Sequence, residues 1–459
     1  MSLAPFSLDA VLALSPDEAS AKAARGLVAP GKWPMLGASA VAVWGECQGS
    51  GSKPYQTQVD VSGAGPTFKC SCPSRKFPCK HGLALLLMQV QDASRFTAPE
   101  PAWVAQWLAS RQERADKKDA KAAAPAAPVD PALAVQRQGK RFERMAAGAQ
   151  ELGLWLDDLA RRGLASLSAD SLSGAASMAA RMVDAQAPGL GQRLTASLAL
   201  VGQGQDWPAQ VLERLGNLQL LVGACVQRER LPTALQADVR QALGWPFERD
   251  EVLATGLQIT DQWLVTAHVL VEREARLTER RVWLLGAQSR QRALLLDFSY
   301  AGKAFEQGWM LGQSLAGTLA FYPGADPLRA VLAAVAAQAA DVPEIPEVPE
   351  IPEASDAATE WNMLADRMAA NPWAERWPLL LGQAVVQRVS DAWSLRTGDQ
   401  VLPLHLNEHN GWRLMAYAAG QPMTLWGEWD GRRLQPLSAW VGGAATPAWR
   451  SATLLEGAP

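Results

Sequence analysis

Cysteine is scarce in this chain, with five in 459 residues, and histidine and tyrosine number only four each. So few cysteines over such a length exclude a disulfide-stapled scaffold. A strong charge of either sign is also missing. The net is −3, which excludes a uniformly basic coat for nucleic acid. Long apolar runs are absent too. Leu83 to Met88 is the longest strictly apolar run near the start, far short of the roughly 20 residues a bilayer span needs. No basic segment precedes an apolar stretch at the beginning, where Asp9, Asp17 and Glu18 lie instead, so no signal peptide is expected. Together these absences point to a cytoplasmic chain with no membrane partner.

What is present is globular in kind, with 48% hydrophobic and 19% charged residues. The length is that of about three domains. Arg outnumbers Lys about three to one and Ala is abundant, a composition that hints at a bacterial source of high GC content. The charge is unevenly placed. Residues 1–121 hold 14 basic and 10 acidic side chains, and the remainder holds 29 basic and 36 acidic. The mildly basic end is the one that carries the chemistry.

Two segments read as linkers. Residues 111–130 open with mixed charges and close in an Ala/Pro stretch, which cannot bury enough apolar surface to order itself. Residues 341–353 contain a Pro-Glu-Ile/Val repeat of period three, matched to a polyproline II helix and roughly 30 Å long at about 3.1 Å per residue. Three blocks result. Residues 1–110 look strand-rich and then helical. Residues 131–340 begin helical, with Leu152, Trp155, Leu156 and Leu159 at helical spacing. Asp206 before Trp207-Pro208 is a helix start and Gly244 a stop. From about Val252 the block becomes β-rich, with strands expected over 262–271 and 281–285, and 326–340 returns to helix. Residues 354–459 start with a short helix and turn β-rich, with hairpins expected at Asn410-Gly411 and Asp430-Gly431. The expected class is α+β and multidomain.

One segment carries a strong signal. Cys70, Cys72, Cys79 and His81 place four soft ligands in 12 residues, spaced C-x-C, six residues, then C-x-H. Residues i and i+2 of an extended strand point to one side, so Cys70 and Cys72 can present both sulfurs to one ion. Cys79 and His81 repeat that geometry across a loop restrained by Pro73 and Pro78, and the run from Leu83 reads as the helix that anchors it. Three thiolates and one imidazole complete a tetrahedral Zn²⁺ shell with no open position, so one structural zinc is expected. Cys47 and Cys225 are left over and read as small buried hydrophobes.

The C-x-C-x6-C-x-H pattern, with Pro78-Cys79-Lys80-His81 leading into a Leu-rich helix, resembles the SWIM-type zinc finger of bacterial proteins. The resemblance covers roughly residues 55–92. The following Trp103-Val104-Ala105-Gln106-Trp107-Leu108 is also similar to such chains. It implies a small ββα zinc fold in the N-terminal domain, with Cys70, Cys72, Cys79 and His81 as the ligands. It further implies an interaction module for proteins or DNA, with AAA+ ATPases or von Willebrand A-domain proteins as associated partners. It says nothing of residues 131–459. Around the ligands, Lys69, Arg75, Lys76 and Lys80 are candidate contacts to nucleic acid or a partner, with Phe68 and Phe77 interleaved. The bland alternative is that these cations offset the charge of the zinc thiolates while the two Phe pack inside.

Other strings carry less. His405-Leu406-Asn407-Glu408-His409 matches H-x-x-E-H, but that chemistry needs a helix, and Pro403 and Asn410-Gly411 read as strand and turn. No phosphate-binding loop, dinucleotide fingerprint or serine elbow is present. Tryptophan is plentiful, 19 in all and nine from Trp361 onward. Most belong to cores, with an exposed platform of Trp426, Trp429 or Trp440 as the alternative. The expectation is a non-enzymatic adaptor that binds a protein partner. Nucleic-acid binding through the basic finger is the alternative, and an enzyme would need a pocket with perturbed ionisable groups elsewhere.

Overall fold

The structure, a computed structural model, describes residues 8–335 and 354–456, apart from positions 17, 50, 52, 64, 75, 124–130, 165–166, 168, 274–276, 301–304, 306, 355, 443–446, 448 and 452–453. The described residues form twelve α-helices and three sheets, an α+β architecture.

The N-terminal block opens with two short helices, α1 (Leu8–Ala13) and α2 (Glu18–Arg25). An antiparallel sheet follows, β1 (Met35–Ala38), β2 (Ala42–Cys47), β3 (Tyr55–Asp60) and β4 (Thr67–Cys70), in that order. Helix α3 (Lys80–Gln91) is apolar on every side because every side is covered: the sheet lies on one face and α1 and α2 on the other. Helix α4 (Ala102–Ala123) closes the far face of the sheet with Val104 against Ala42 and Trp44. Arg111 fastens it by an ion pair to Asp60 at 2.7 Å. The expected linker from residue 111 is thus helical backbone as far as Ala123. Arg, Glu, Lys, Gln and Ala are strong helix formers, and a helix end needs no burial to keep its hydrogen bonds.

Helices α5 (Pro131–Arg162), α6 (Ala169–Asp184), α7 (Pro188–Leu198) and α8 (Trp207–Val226) pack as a bundle. Met145, Ala149, Leu152, Leu156 and Leu159 form the buried stripe of α5, at the spacing read from sequence. Helix α8 starts after Asp206, as expected. Helix α9 (Thr233–Ala242) stops before Gly244, whose φ is +83°, and α10 (Arg249–Thr255) leads into the next block.

Strands β5 (Gln258–Glu272), β6 (Leu277–Gly286), β7 (Arg292–Tyr300), β8 (Ser314–Phe321) and β9 (Arg329–Val335) close into a barrel. The first half of β5 pairs with β8, and most of its length pairs with β6. Strand β9 completes the ring, parallel to β7 and antiparallel to β8. Trp263, Trp309 and Phe321 are buried in its core. The helix expected over 326–340 is therefore a strand from Arg329 to Val335, and residues 336–340 lie outside the described residues, as does the 341–353 repeat. Its Ala-rich composition favours helix, but closure between β7 and β8 supplies hydrogen bonds to both sides, which outweighs propensity.

The last block contains α11 (Ala357–Ala370), β10 (Trp377–Val389), β11 (Ala392–Thr397), β12 (Gln400–Pro403), α12 (Glu408–Ala418), β13 (Met423–Trp429), β14 (Leu434–Trp440) and β15 (Trp449–Arg450). Its sheet runs β12-β11-β10-β13-β14-β15, with both helices packed on it. Strand β16 (Leu454–Glu456) leaves this sheet and pairs parallel to β5 of the barrel. The Asp430-Gly431 hairpin is present, with Gly431 at φ +95°. Asn410-Gly411 is not a hairpin. It lies in the first turn of α12, capped by Asn407, whose Oδ1 accepts from the Asn410 N–H at 2.8 Å. Trp426, Trp429 and Trp440 are buried, so they form no exposed platform.

The blocks are joined by buried polar contacts. Glu428 of β13 is fully buried, pairs with Arg281 of β6 at 3.0 Å and accepts from Trp283 Nε1 at 2.7 Å. Arg292 of β7 pairs with Glu360 of α11 at 2.5 Å. The finger meets the barrel where Gly65 faces Gly308. A Cβ on Gly308 would lie 2.0 Å from the Pro66 carbonyl oxygen, so only glycine permits this approach.

Candidate metal centre

Strand β4 ends at Cys70, opposite Thr57 of β3. Cys72 lies two residues further on, where the chain turns away. Cys79 occupies the N-cap position of α3 with extended backbone (φ −75°, ψ 161°), and His81 falls in the first turn of that helix. Strand end and helix start thus converge. The four ligand atoms all lie within 4.8 Å of one another.

The separations suit zinc. His81 Nδ1 stands 3.8 Å from Cys70 Sγ and 4.0 Å from Cys79 Sγ. Bond lengths of about 2.3 Å to sulfur and 2.0 Å to nitrogen give tetrahedral edges of roughly 3.5–3.8 Å. Cys79 and His81 are buried, and Cys70 and Cys72 half-buried. Thr57 Oγ1 lies 3.2 Å from Cys70 Sγ, an outer hydroxyl that steadies the thiolate. The Tyr55 ring lies against His81, centroids 5.0 Å apart, and fixes the imidazole plane.

The donor set behaves as a cluster built for a cation. Hydrogen bonds from Cys70 and Cys79 hold the Cys72 thiol far below its ordinary value. Hydrogen bonds with Cys70 and Cys72, with burial, push Cys79 far above. Burial would lower His81, but hydrogen bonds to Cys70 and Cys72 raise it to about 9. Sulfurs forced to share protons in this way are relieved by a divalent ion. Three thiolates and one imidazole from the protein fill a tetrahedral shell, so the ion would hold the loop to the helix and leave no place for substrate.

Cys47 and Cys225 stay outside this cluster. Burial pushes each thiol up to about 11, with a smaller contribution from Cys70 at Cys47. Of the candidate contact residues, Lys69, Lys76 and Lys80 are exposed, and Arg75 lies outside the described residues. Phe68 is buried and Phe77 half-buried, packed edge-to-face at 6.0 Å, so neither offers a free face. The H-x-x-E-H string forms no metal group among the described residues: His405 precedes α12, and His409 faces Glu18 at 3.7 Å.

A feature that sequence reasoning missed lies beside the zinc site. A cleft of about 820 Å³ opens between α2 and the ligand loop. Ala23 and Leu27 form one wall, Pro73 and Ser74 the other, and Lys32, Lys76 and Lys80 line it. No carboxylate is among the described residues that line it. Lys32 comes from the turn before β1, so no local signal could have joined it to the finger.

Residues 55–89 match the family model of the SWIM zinc finger. This part of the chain is a SWIM zinc finger. Residues 140–243 match the model of the SWIM-associated four-helix bundle domain, so the segment that contains α5–α9 is a second recognised unit, after the finger in the chain. No curated protein and no solved structure matches the chain. No helix among the described residues is long and apolar enough to cross a membrane.

Proposed function

We propose that this SWIM protein is a non-enzymatic cytoplasmic adaptor whose finger docks an extended acidic segment of a protein partner in the cleft beside the zinc. The observation that carries this reading is the cleft itself, with Lys32, Lys76 and Lys80 on its lining and the small apolar side chains of α2 opposite. Lysines supply charge complementarity, and Ala23 and Leu27 accept apolar side chains from a peptide. The zinc is the structural element that holds one wall in place. Partners of the AAA+ ATPase or von Willebrand A-domain kind fit the resemblance of the finger, and co-purification with the full chain tests them.

Nucleic-acid binding is the second reading, favoured by the same exposed lysines, which can contact phosphates. It is disfavoured by Phe68 and Phe77, which pack on each other and leave no stacking face for bases. Fluorescence anisotropy of the full zinc-loaded chain separates the two. The probes are an acidic Glu/Leu peptide and single- and double-stranded DNA, each at low and physiological salt. The peptide is expected to bind, and K32Q/K80Q with zinc retained is expected to weaken it at least tenfold. DNA binding that survives physiological salt and is lost in K76Q/K80Q would put the second reading first. Failure of every probe to bind would remove the cleft as a recognition site.

A further inference from the structure

A second cavity lies on the other side of the finger, at its seam with the barrel. Its volume is about 70 Å³. That exceeds the roughly 10–15 Å³ one water requires and falls below the ~150 Å³ of an apolar cavity that accepts benzene. Phe68, Phe77 and Pro78 of the finger and Trp309 of the barrel give it an apolar wall, and His268 and Arg280 of the barrel give it a polar one.

The polar wall is electrically unbalanced. His268 Nδ1 is buried without a hydrogen-bond partner. Arg280 is already neutralised, by Asp297 at 2.6 Å and the Gln307 carbonyl at 2.7 Å. Arg450 is not. Its Nη2 donates to the Leu12 and Ser15 carbonyls at 3.2 and 3.1 Å, while Nη1 is buried and unpartnered. No carboxylate pairs with it among the described residues. It does not line the cavity, but it bonds the carbonyl of Ser15, whose neighbours Leu14 and Pro16 do, and its charge acts on His268. Burial, then the charges of Arg450 and Arg280, push His268 down to about 3, so its imidazole is neutral and can donate one N–H. A buried cation that has no carboxylate partner among the described residues is costly, as is an unsatisfied ring nitrogen; an anion in the cavity would accept from His268 and offset the charge of Arg450 through its field.

We propose that this seam cavity binds a small monocarboxylate of about three or four carbons, with its tail on the aromatic wall and its head on His268 in the field of Arg450. The apolar wall selects against hydrated inorganic anions, and the unbalanced cation against neutral or cationic molecules. This site is separate from the lysine cleft, and its failure would leave the adaptor reading untouched.

The test uses the full zinc-loaded chain with ¹⁵N in its four histidines, and H268Q assigns the His268 signal. Sodium propionate is titrated beside sodium chloride of matched ionic strength and beside 1-propanol. Propionate is expected to give a saturable shift of the His268 imidazole that neither control gives, and R450Q to weaken it at least tenfold. No saturable shift would leave a water-filled void and overturn the proposal. An equal shift with propanol, or undiminished binding in zinc-loaded R450Q, would also overturn it, since anion recognition would be absent. If R450Q does not fold, the contrast between propionate and propanol decides alone.

Discussion

At the scale of single residues, the four residues of the candidate zinc site are legible because they are neighbours in sequence. The strand alternation puts Cys70 and Cys72 together, and the loop returns Cys79 and His81 to them. Cys79→Ser is expected to drop zinc below one per chain, measured by atomic emission, and to unfold the finger as seen by loss of hydrogen-exchange protection in α3. Metal binding and folding are coupled in such sites. A variant with full zinc occupancy and intact protection would refute the ligand set. The two remaining thiols behave oppositely. With Cys47 and Cys225 buried and pushed up to about 11, a thiol reagent at pH 8 should label neither in the native chain and both after denaturation. What single residues could not reveal is which distant side chains share a surface. Lys32 joins Lys76 and Lys80 only because the turn before β1 folds back over the finger.

At the scale of elements, patterns were readable where one signal stood alone and misread where two competed. The α5 stripe and the Asp430-Gly431 turn had no rival. Asn410-Gly411 had one: Asn407 three positions earlier is a helix cap, and Glu408 in the first turn suits the positive end of the helix dipole. The cap prevails because the hydrogen bond to the Asn410 N–H satisfies a donor that the helix start leaves open. Asn407→Ala should therefore destabilise the last block by about 1 kcal/mol, measured by chemical denaturation. Residues 329–335 show the limit of local reading. Their propensity points to helix, and only the ring of β7, β9 and β8 explains a strand. The junction at Asp238 of α9 carries its own pH signature. The carboxylate accepts from the Ala325 N–H at 2.8 Å and from Asn371 Nδ2 at 3.1 Å. Burial, with the neighbouring Asp326 adding to it, raises Asp238 from 3.8 to about 6. The folded state then holds a proton that the unfolded chain releases, so this group's contribution falls as pH rises from about 4 through about 6. The stability of wild type relative to Asp238→Asn should decline over that window, and a flat difference would sink this account.

For the whole molecule, the linker pattern in the sequence suggests three blocks but not how they are fastened. The fastenings are single buried charges far apart in the chain, such as Arg281 with Glu428 and Arg292 with Glu360. Nothing in a local pattern marks one glutamate as the partner of an arginine on another sheet. Glu428→Ala would leave Arg281 with Glu279 alone at 3.3 Å and strip the buried Trp283 Nε1–H of its acceptor, and is expected to lower stability by about 1–3 kcal/mol in urea melts. The sequence places a linker at 341–353, which suggests that the barrel and the last block could be divided there. Strand β16 argues otherwise. Leu454–Glu456 lies along β5 of the barrel, so a strand on that sheet comes from beyond the proposed point of division. A protease nick within the Pro-Glu stretch should therefore yield two fragments that elute as one particle. Expressed separately, the halves should recover their fold only on mixing, which makes the chain a natural candidate for split-protein complementation.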